Sequence, residues 1–504
     1  MGETFSLLMT GFEIALQPHN LMFAFIGAFL GTVIGVLPGI GPAGALAMLL
    51  PIVLNMNPVS ALIMLASIYS GAMYGGSTTS ILLNVPGESS SVVTCLDGHQ
   101  MALQGRAGPA LCIAAIGSYI AGTIGVVGLM FLGPLIASWA LNFGPPEYCA
   151  LMIFGLSSVA SLSGKRLVKG LMAMTLGLML GTVGTDVTGV ERFVFDMPEM
   201  LDGIQLLAVT IGLFAVSEVL LNTNEMRSGV QGAVIKHKLF ISFKDVRESM
   251  GAILRGTGIG FLAGALPGVG AGIASFLAYS VETQVSDHPE RFGKGEIRGV
   301  AAPESANNAC SAGALVHLLT LGIPGSGSMA ILLIALTALN VHPGPLMFTQ
   351  HPDVVWGLIA ALYIGNVMLL ILNLPLVGIF VRLLYLPMRI LLPVVMVICV
   401  IGVYSVNQTV LDLVFLCGFG ALGYFMRSHD YPVAPVILGL VLGDRMEEAL
   451  RQSMIMTQGN LWMLLERPIV VFFVVLTLAS MIGPFIISRL RFAGRKVELE
   501  SEEA

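Results

Sequence analysis

Charge is what this sequence has least of. Only 11% of its 504 residues are Asp, Glu, Lys or Arg, against roughly 25% in soluble domains, which excludes a water-soluble globule. The first 20 residues hold Glu3 and Glu13 and no lysine or arginine, so the basic start of a secretory signal peptide is missing. The six cysteines include no CxxC spacing, which argues against a zinc site or a disulfide framework. There is no HExxH and no GxxxxGK[ST], hence no zinc-protease motif and no phosphate cradle for a nucleotide. The alternating pattern of a membrane β-barrel is absent as well.

Apolar residues fill the chain instead, at 56%, in many segments longer than the ~20 residues that cross a bilayer. The class is an all-α polytopic membrane protein. Phe5, Leu8, Met9, Phe12 and Leu16 fall at helical spacing, so residues 1–20 read as an interfacial segment.

Basic residues mark the cytoplasmic side. They cluster at Lys165, Arg166 and Lys169, again from Arg227 to Arg247, and at Arg489, Arg491, Arg495 and Lys496. The acidic stretch Asp186 to Asp202 lies on the opposite, periplasmic side. Crossings are expected near 58–84, 107–139, 147–162, 167–185 and 199–221. A second set follows near 297–323, 353–381, 387–405, 408–426 and 431–443, with a last helix near 468–488.

Two stretches, 21–55 and 251–283, break this regularity. A straight helix over 21–55 would span about 50 Å against a hydrocarbon core of about 30 Å. Each stretch contains the same interruption: Gly35-Val36-Leu37-Pro38-Gly39-Ile40-Gly41 returns as Gly264-Ala265-Leu266-Pro267-Gly268-Val269-Gly270. Proline removes a backbone donor and glycine loosens the chain, so each stretch reads as a re-entrant hairpin. With hairpins rather than crossings, each half has an odd number of spans and the halves are inverted. The basic central loop and the basic C-terminus then share the cytoplasmic side, and the N-terminus is periplasmic. The resulting organisation is a first membrane repeat over 21–221, a cytoplasmic linker over 222–250 with an interfacial helix from about Lys244, and a second repeat over 251–450. A C-terminal helix region over 451–490 and a tail over 491–504 follow.

The duplication extends past the hinges. Ser77, Thr78 and Thr79 precede Asn84 and the break Pro86-Gly87; Asn307, Asn308 and Ser311 precede the break Pro324-Gly325. Broken backbone at membrane depth survives only against protein or a wet cavity, and helix starts there offer free N–H groups to an anion. The expected substrate site therefore comprises Pro38, Gly39, Gly41, Ser77, Thr78, Thr79, Asn84, Pro267, Gly268, Gly270, Asn307, Asn308 and Ser311. Pro86, Gly87, Pro324, Gly325 and His317 are candidates for ion binding or gating, although His317 also reads as a satisfied neutral histidine. No metal centre is expected. Glu218, Glu282, Glu304 and His99 are the other ionisable groups in apolar surroundings, where charge is costly; helix-end positions account for Glu218 and Glu282. Glu88 and Arg106 flank the first repeat's break as gate or surface groups.

These pieces resemble the large membrane subunit of the tripartite tricarboxylate transporters, the TctA family. Gly35–Gly41, Tyr74–Glu88, the stretch from Gly184-Thr185-Asp186 to Arg192-Phe193, Leu254-Arg255-Gly256 through Gly270, Pro303–Asn308 and Gly322-Ile323-Pro324-Gly325 carry the likeness. It implies a bacterial inner-membrane permease for carboxylates, citrate among them. Such a permease works with a periplasmic solute-binding protein and a small membrane subunit, and an ion gradient drives it. The coupling ion is Na⁺ or H⁺; no other cofactor is expected. A passive channel lined by both hairpins is the alternative, and an intramembrane enzyme lacks the residue pair it would need.

Overall fold

A computed structural model describes residues 2–37, 41–161, 167–186, 189–225, 241–378, 388–479 and 481. Pro38 and Gly39 lie outside the described residues. So do the basic residues Lys165, Arg166, Arg227 and those of the C-terminal tail. The protein is an all-α membrane protein. Among the described residues, five helices are long and apolar enough to cross a bilayer: Pro18–Val36, Pro58–Leu83, Ala107–Ala140, Pro352–Asn373 and Val410–Ser428. The described residues also form shorter apolar helices, such as Gly41–Val53, Leu167–Gly181 and Gly327–Ala338.

The chain forms two compact units, one of residues 1–141 with 205–433, the other of 142–204 with 434–504. In the first unit, helix Pro18–Val36 packs on Pro58–Leu83 through glycines four residues apart, which share one helix face. A Cβ on Gly27, Gly31 or Gly35 would fall 2.3–2.4 Å from the carbonyl oxygens of Met64, Ile68 and Ala72. The same packing recurs between Phe243–Ala265 and Arg298–Leu321. There, a Cβ on Gly256, Gly260 or Gly264 would fall 2.2–2.3 Å from the carbonyls of Ala302, Ala306 and Cys310. Lipid gives no hydrophobic drive for helix association, so backbones that touch over small residues supply the attraction.

Both glycine-lined helices end in the same geometry. Leu37 and Leu266 are extended (φ −82°, ψ 120° and φ −91°, ψ 116°), and their N–H groups donate to Ile34 and Ala263. The next helices, Gly41–Val53 and Gly270–Val285, open on glycines in the left-handed region, at φ +63° and +68°. The lead-in expected as a separate interfacial helix from Lys244 is instead the start of Phe243–Ala265, capped by the Ser242 hydroxyl and uninterrupted to the break. Likewise, the N-terminal helix Gly2–Ala15 does not stand alone: Gly11 meets the backbone of Trp356, and Phe12 stacks on Tyr363.

The second unit contains Pro145–Ser161, Leu167–Gly181 and Ala434–Met456. The last of these runs well past the crossing expected at 431–443. Its polar end meets a two-stranded ribbon, Gly184–Thr185 with Glu191–Arg192. Asp186 and Glu447 are shared there between Arg192 and Arg451, at 2.7–3.0 Å. Hydrogen bonding from Arg192, then from Arg451, holds the Glu447 carboxyl below its usual range. The network borders a cavity of about 330 Å³.

Candidate functional site

The site lies in the first unit, where each half brings its two breaks together. Helix Pro58–Leu83 stops at Asn84 and helix Arg298–Leu321 stops at Gly322, both left-handed, at φ 57° and 69°. The chain then passes Pro86-Gly87 in one half and Pro324-Gly325 in the other. Gly87 is wedged in: a Cβ there would lie 2.5 Å from Gly76 Cα and 2.7 Å from the Gly35 carbonyl. A Cβ on Gly325 would strike the His317 ring and come within 3.2 Å of the Gly268 nitrogen. Each Pro-Gly break thus rests on its own half's hinge segment. His317 staples the second pair, with Nδ1 2.6 Å from the Ile323 carbonyl and Nε2 3.1 Å from the Gly264 carbonyl. Both ring nitrogens are occupied by backbone, which makes it a positioning group.

Polar side chains from both halves meet beside these breaks. The hydroxyls of Ser77 and Thr94 donate to the two oxygens of Glu304, which is 1% exposed. Glu88 accepts from Ser90 and, at 2.9 Å, from the Asn307 amide. Asn308 donates to Ser118 at 2.7 Å and to the Glu304 carbonyl at 3.2 Å. Ser311 and Thr79 turn back to the carbonyls of Asn308 and Gly76 in their own helices, as hydroxyls in apolar helices often do. Thr78 is buried and shares with Ser77, Tyr74, Ser118 and Asn373 the lining of a space of about 10 Å³. A second space, about 20 Å³, lies between Tyr74, Asn308, Ser311 and Asn366. Each is about large enough for a water molecule and far too small for a tricarboxylate.

Several functional candidates emerge only in three dimensions. Thr94, Ser118, Tyr74 and Asn366 join the cluster through contacts between residues far apart in the chain, the Tyr74 hydroxyl donating to Asn366 at 2.7 Å. Of these, Asn366 alone carried a signal in the sequence, as an amide in the middle of the apolar helix Pro352–Asn373. Glu88, placed by sequence as a gate or surface group, is turned inward to Asn307. Glu218 and Glu282 do lie in end turns, of Ser217–Glu225 and Gly270–Val285, but both are buried and each is paired with an arginine, Glu218 with Arg427 and Glu282 bidentately with Arg255 at 2.9 Å.

Among the described residues, no lysine or arginine is bonded to the polar cluster. Recognition of an anion would fall to amides, hydroxyls and helix starts. Helix Gly270–Val285 has no side-chain cap at its N-terminus, and a Cβ on Gly270 would meet nothing within 4 Å. Its first N–H groups have no side-chain acceptor, and they carry the positive end of the helix dipole.

A family model described as "Tripartite tricarboxylate transporter TctA family" matches residues 21–438. An Agrobacterium vitis protein, "Uncharacterized 52.8 kDa protein in TAR-I ttuC' 3'region", is 45% identical over 470 residues, which are 93% of this chain and 94% of that one. A second protein of that organism, "Uncharacterized protein in TAR-II ttuC' 3'region", is 44% identical over 210 residues, covering 42% of this chain and 87% of its own length. No solved structure matches the chain.

Proposed function

Because the chain belongs to the tripartite tricarboxylate transporter TctA family, we propose that it is the permease that carries di- or tricarboxylates across the bacterial inner membrane. Substrate arrives on a periplasmic solute-binding protein, a small membrane subunit completes the system, and an ion gradient drives uptake. The chain is two inverted repeats, each with a re-entrant hairpin, the N-terminus periplasmic and the C-terminus cytoplasmic.

The observation that carries this reading is the convergence of paired helix breaks on one polar cluster of amides and hydroxyls to which no lysine or arginine is bonded among the described residues. Free N–H groups at helix starts bind carboxylates without placing a full charge in lipid. The spaces at the cluster are too tight for citrate, which fits a closed stage of alternating access better than an open pore. Uptake of labelled carboxylates by proteoliposomes, with the cognate binding protein present, tests the reading. Accumulation against the concentration gradient supports it; flux that only equilibrates marks a passive channel.

Asn308→Leu removes the donor to Ser118 and leaves that hydroxyl buried beside an apolar chain. With Asn308 as a donor to substrate, losing that one hydrogen bond costs about 1–3 kcal/mol of binding, so the KM for citrate should rise about 5- to 150-fold. Unchanged KM and kcat would take Asn308 out of the site.

A further inference from the structure

Glu304 is a carboxylate in the wrong surroundings for a permanent charge. It sits inside helix Arg298–Leu321 with 1% exposure, and burying an unpaired carboxylate costs several kcal/mol or more. Its two oxygens meet only the hydroxyls of Ser77 and Thr94. The titratable groups that face it, Glu88, Tyr74 and Cys95, offer no positive charge.

The other ionisable groups on the elements packed around it are engaged elsewhere or neutral. Arg255 is bound to Glu282, and Asp97 to Tyr279 and to the amides of Gly293, Gly295 and Glu296. His99 rests on the Ile81 carbonyl, and His317 on those of Ile323 and Gly264. Tyr69, Tyr119 and Cys310 carry no charge in their ordinary forms.

A second observation points to a donor that comes and goes. One helical turn beyond Glu304, Asn307 is 1% exposed and gives its amide to Glu88, while its carbonyl oxygen Oδ1 is buried without a partner. Asn307 lies three residues from Glu304 on the same helix, so the two share a face, and the unsatisfied acceptor belongs to the same cluster. Ser77 and Thr94 add a further property. A hydroxyl donates to a carboxylate and, on rotating, accepts from a carboxylic acid. Both protonation states of Glu304 are therefore solvated by the same two side chains.

We propose that the coupling ion is a proton and that Glu304 carries it. This rests on the transport reading above. A proton from the periplasmic side bonds one Glu304 oxygen and neutralises the cluster before an anionic substrate is enclosed. It leaves that oxygen on the cytoplasmic side, which restores the carboxylate. No other bond forms or breaks.

Two measurements on the purified full-length protein test this. In lipid nanodiscs, infrared titration of the wild type should show a protonated-carboxyl stretch that disappears as pH rises and is absent in Glu304→Gln. In proteoliposomes, citrate accumulation driven by an imposed inward pH gradient should fall about 5- to 150-fold in Glu304→Gln, the span of a typical coupling free energy. Should Glu304→Gln fail to fold, Ser77→Ala serves: losing one solvating hydroxyl shifts the pH midpoint of the infrared band, which a purely structural role would not do.

An infrared band that persists in Glu304→Gln, or an unmoved midpoint in Ser77→Ala, overturns the proposal. Accumulation that follows a Na⁺ gradient and ignores the pH gradient overturns it equally. If the wild type accumulates no carboxylate under any gradient, the transport reading fails, while the infrared titration still decides where the proton sits.

Discussion

Gly268→Val abolishes carboxylate uptake while leaving membrane insertion intact. Gly268 is buried in the second hinge at φ +92°, a conformation that β-branched residues scarcely adopt. Strain of this kind costs about 1–3 kcal/mol. The second break lies close by, since a Cβ on Gly325 would strike the His317 ring and come within 3.2 Å of the Gly268 nitrogen. A rise of 1–3 kcal/mol in one conformer shifts an equilibrium about 5- to 150-fold, and displacement of the helix start adds to the loss. Proteoliposome uptake reads the effect, and the yield of folded protein in the membrane fraction controls for insertion. Wild-type rates in Gly268→Val would detach the second hinge from transport.

Asp97→Ala should be the most destabilising single change outside the hinges. Asp97 is fully buried, yet it belongs to the short π-helical turn Cys95–His99. It accepts from the Tyr279 hydroxyl at 2.9 Å and from the amides of Gly293, Gly295 and Glu296 at 2.8–3.0 Å. One carboxylate thereby fixes the loop that leads into helix Arg298–Leu321, the helix that bears Glu304 and both site asparagines. Its removal leaves four donors without this acceptor, of which the Gly295 amide is buried, and stranding a buried donor costs about 1–3 kcal/mol. Thermal unfolding in detergent should show a clear loss of Tm, with Asp97→Asn recovering part of it. An unchanged Tm in Asp97→Ala would mean the loop is held by other contacts.

The helix breaks were legible because proline and glycine act locally. A missing N–H or a left-handed dihedral is decided within a few residues, and the similar runs at Gly35 and Gly264 end their helices in the same way. The all-α membrane class was legible for a similar reason, apolar length being a property of the sequence itself. Partnership was not. Nothing local joins Ser77 and Thr94 to Glu304, or Glu88 to Asn307, because these pairs lie about two hundred residues apart and depend on how the helices pack. Charge was half legible for the same cause: the helix-end positions of Glu218 and Glu282 could be read, but their burial against Arg427 and Arg255 could not. The unpartnered oxygen of Asn307 has no sequence signal at all.

The two interrupted helices have matching flanks, an extended leucine before the break and a left-handed glycine after it, and differ in how their arms are braced. Arg255 on one arm of the second grips Glu282 on the other with two parallel hydrogen bonds, and prising them apart would strand a carboxylate that is 1% exposed. The first has no such clasp, since Pro18–Val36 and Gly41–Val53 contain no charged residue. The later pair of arms must therefore travel as one stiff piece, whereas the earlier pair can splay without parting any ions. Whatever motion the cycle demands meets least resistance at the N-terminal half.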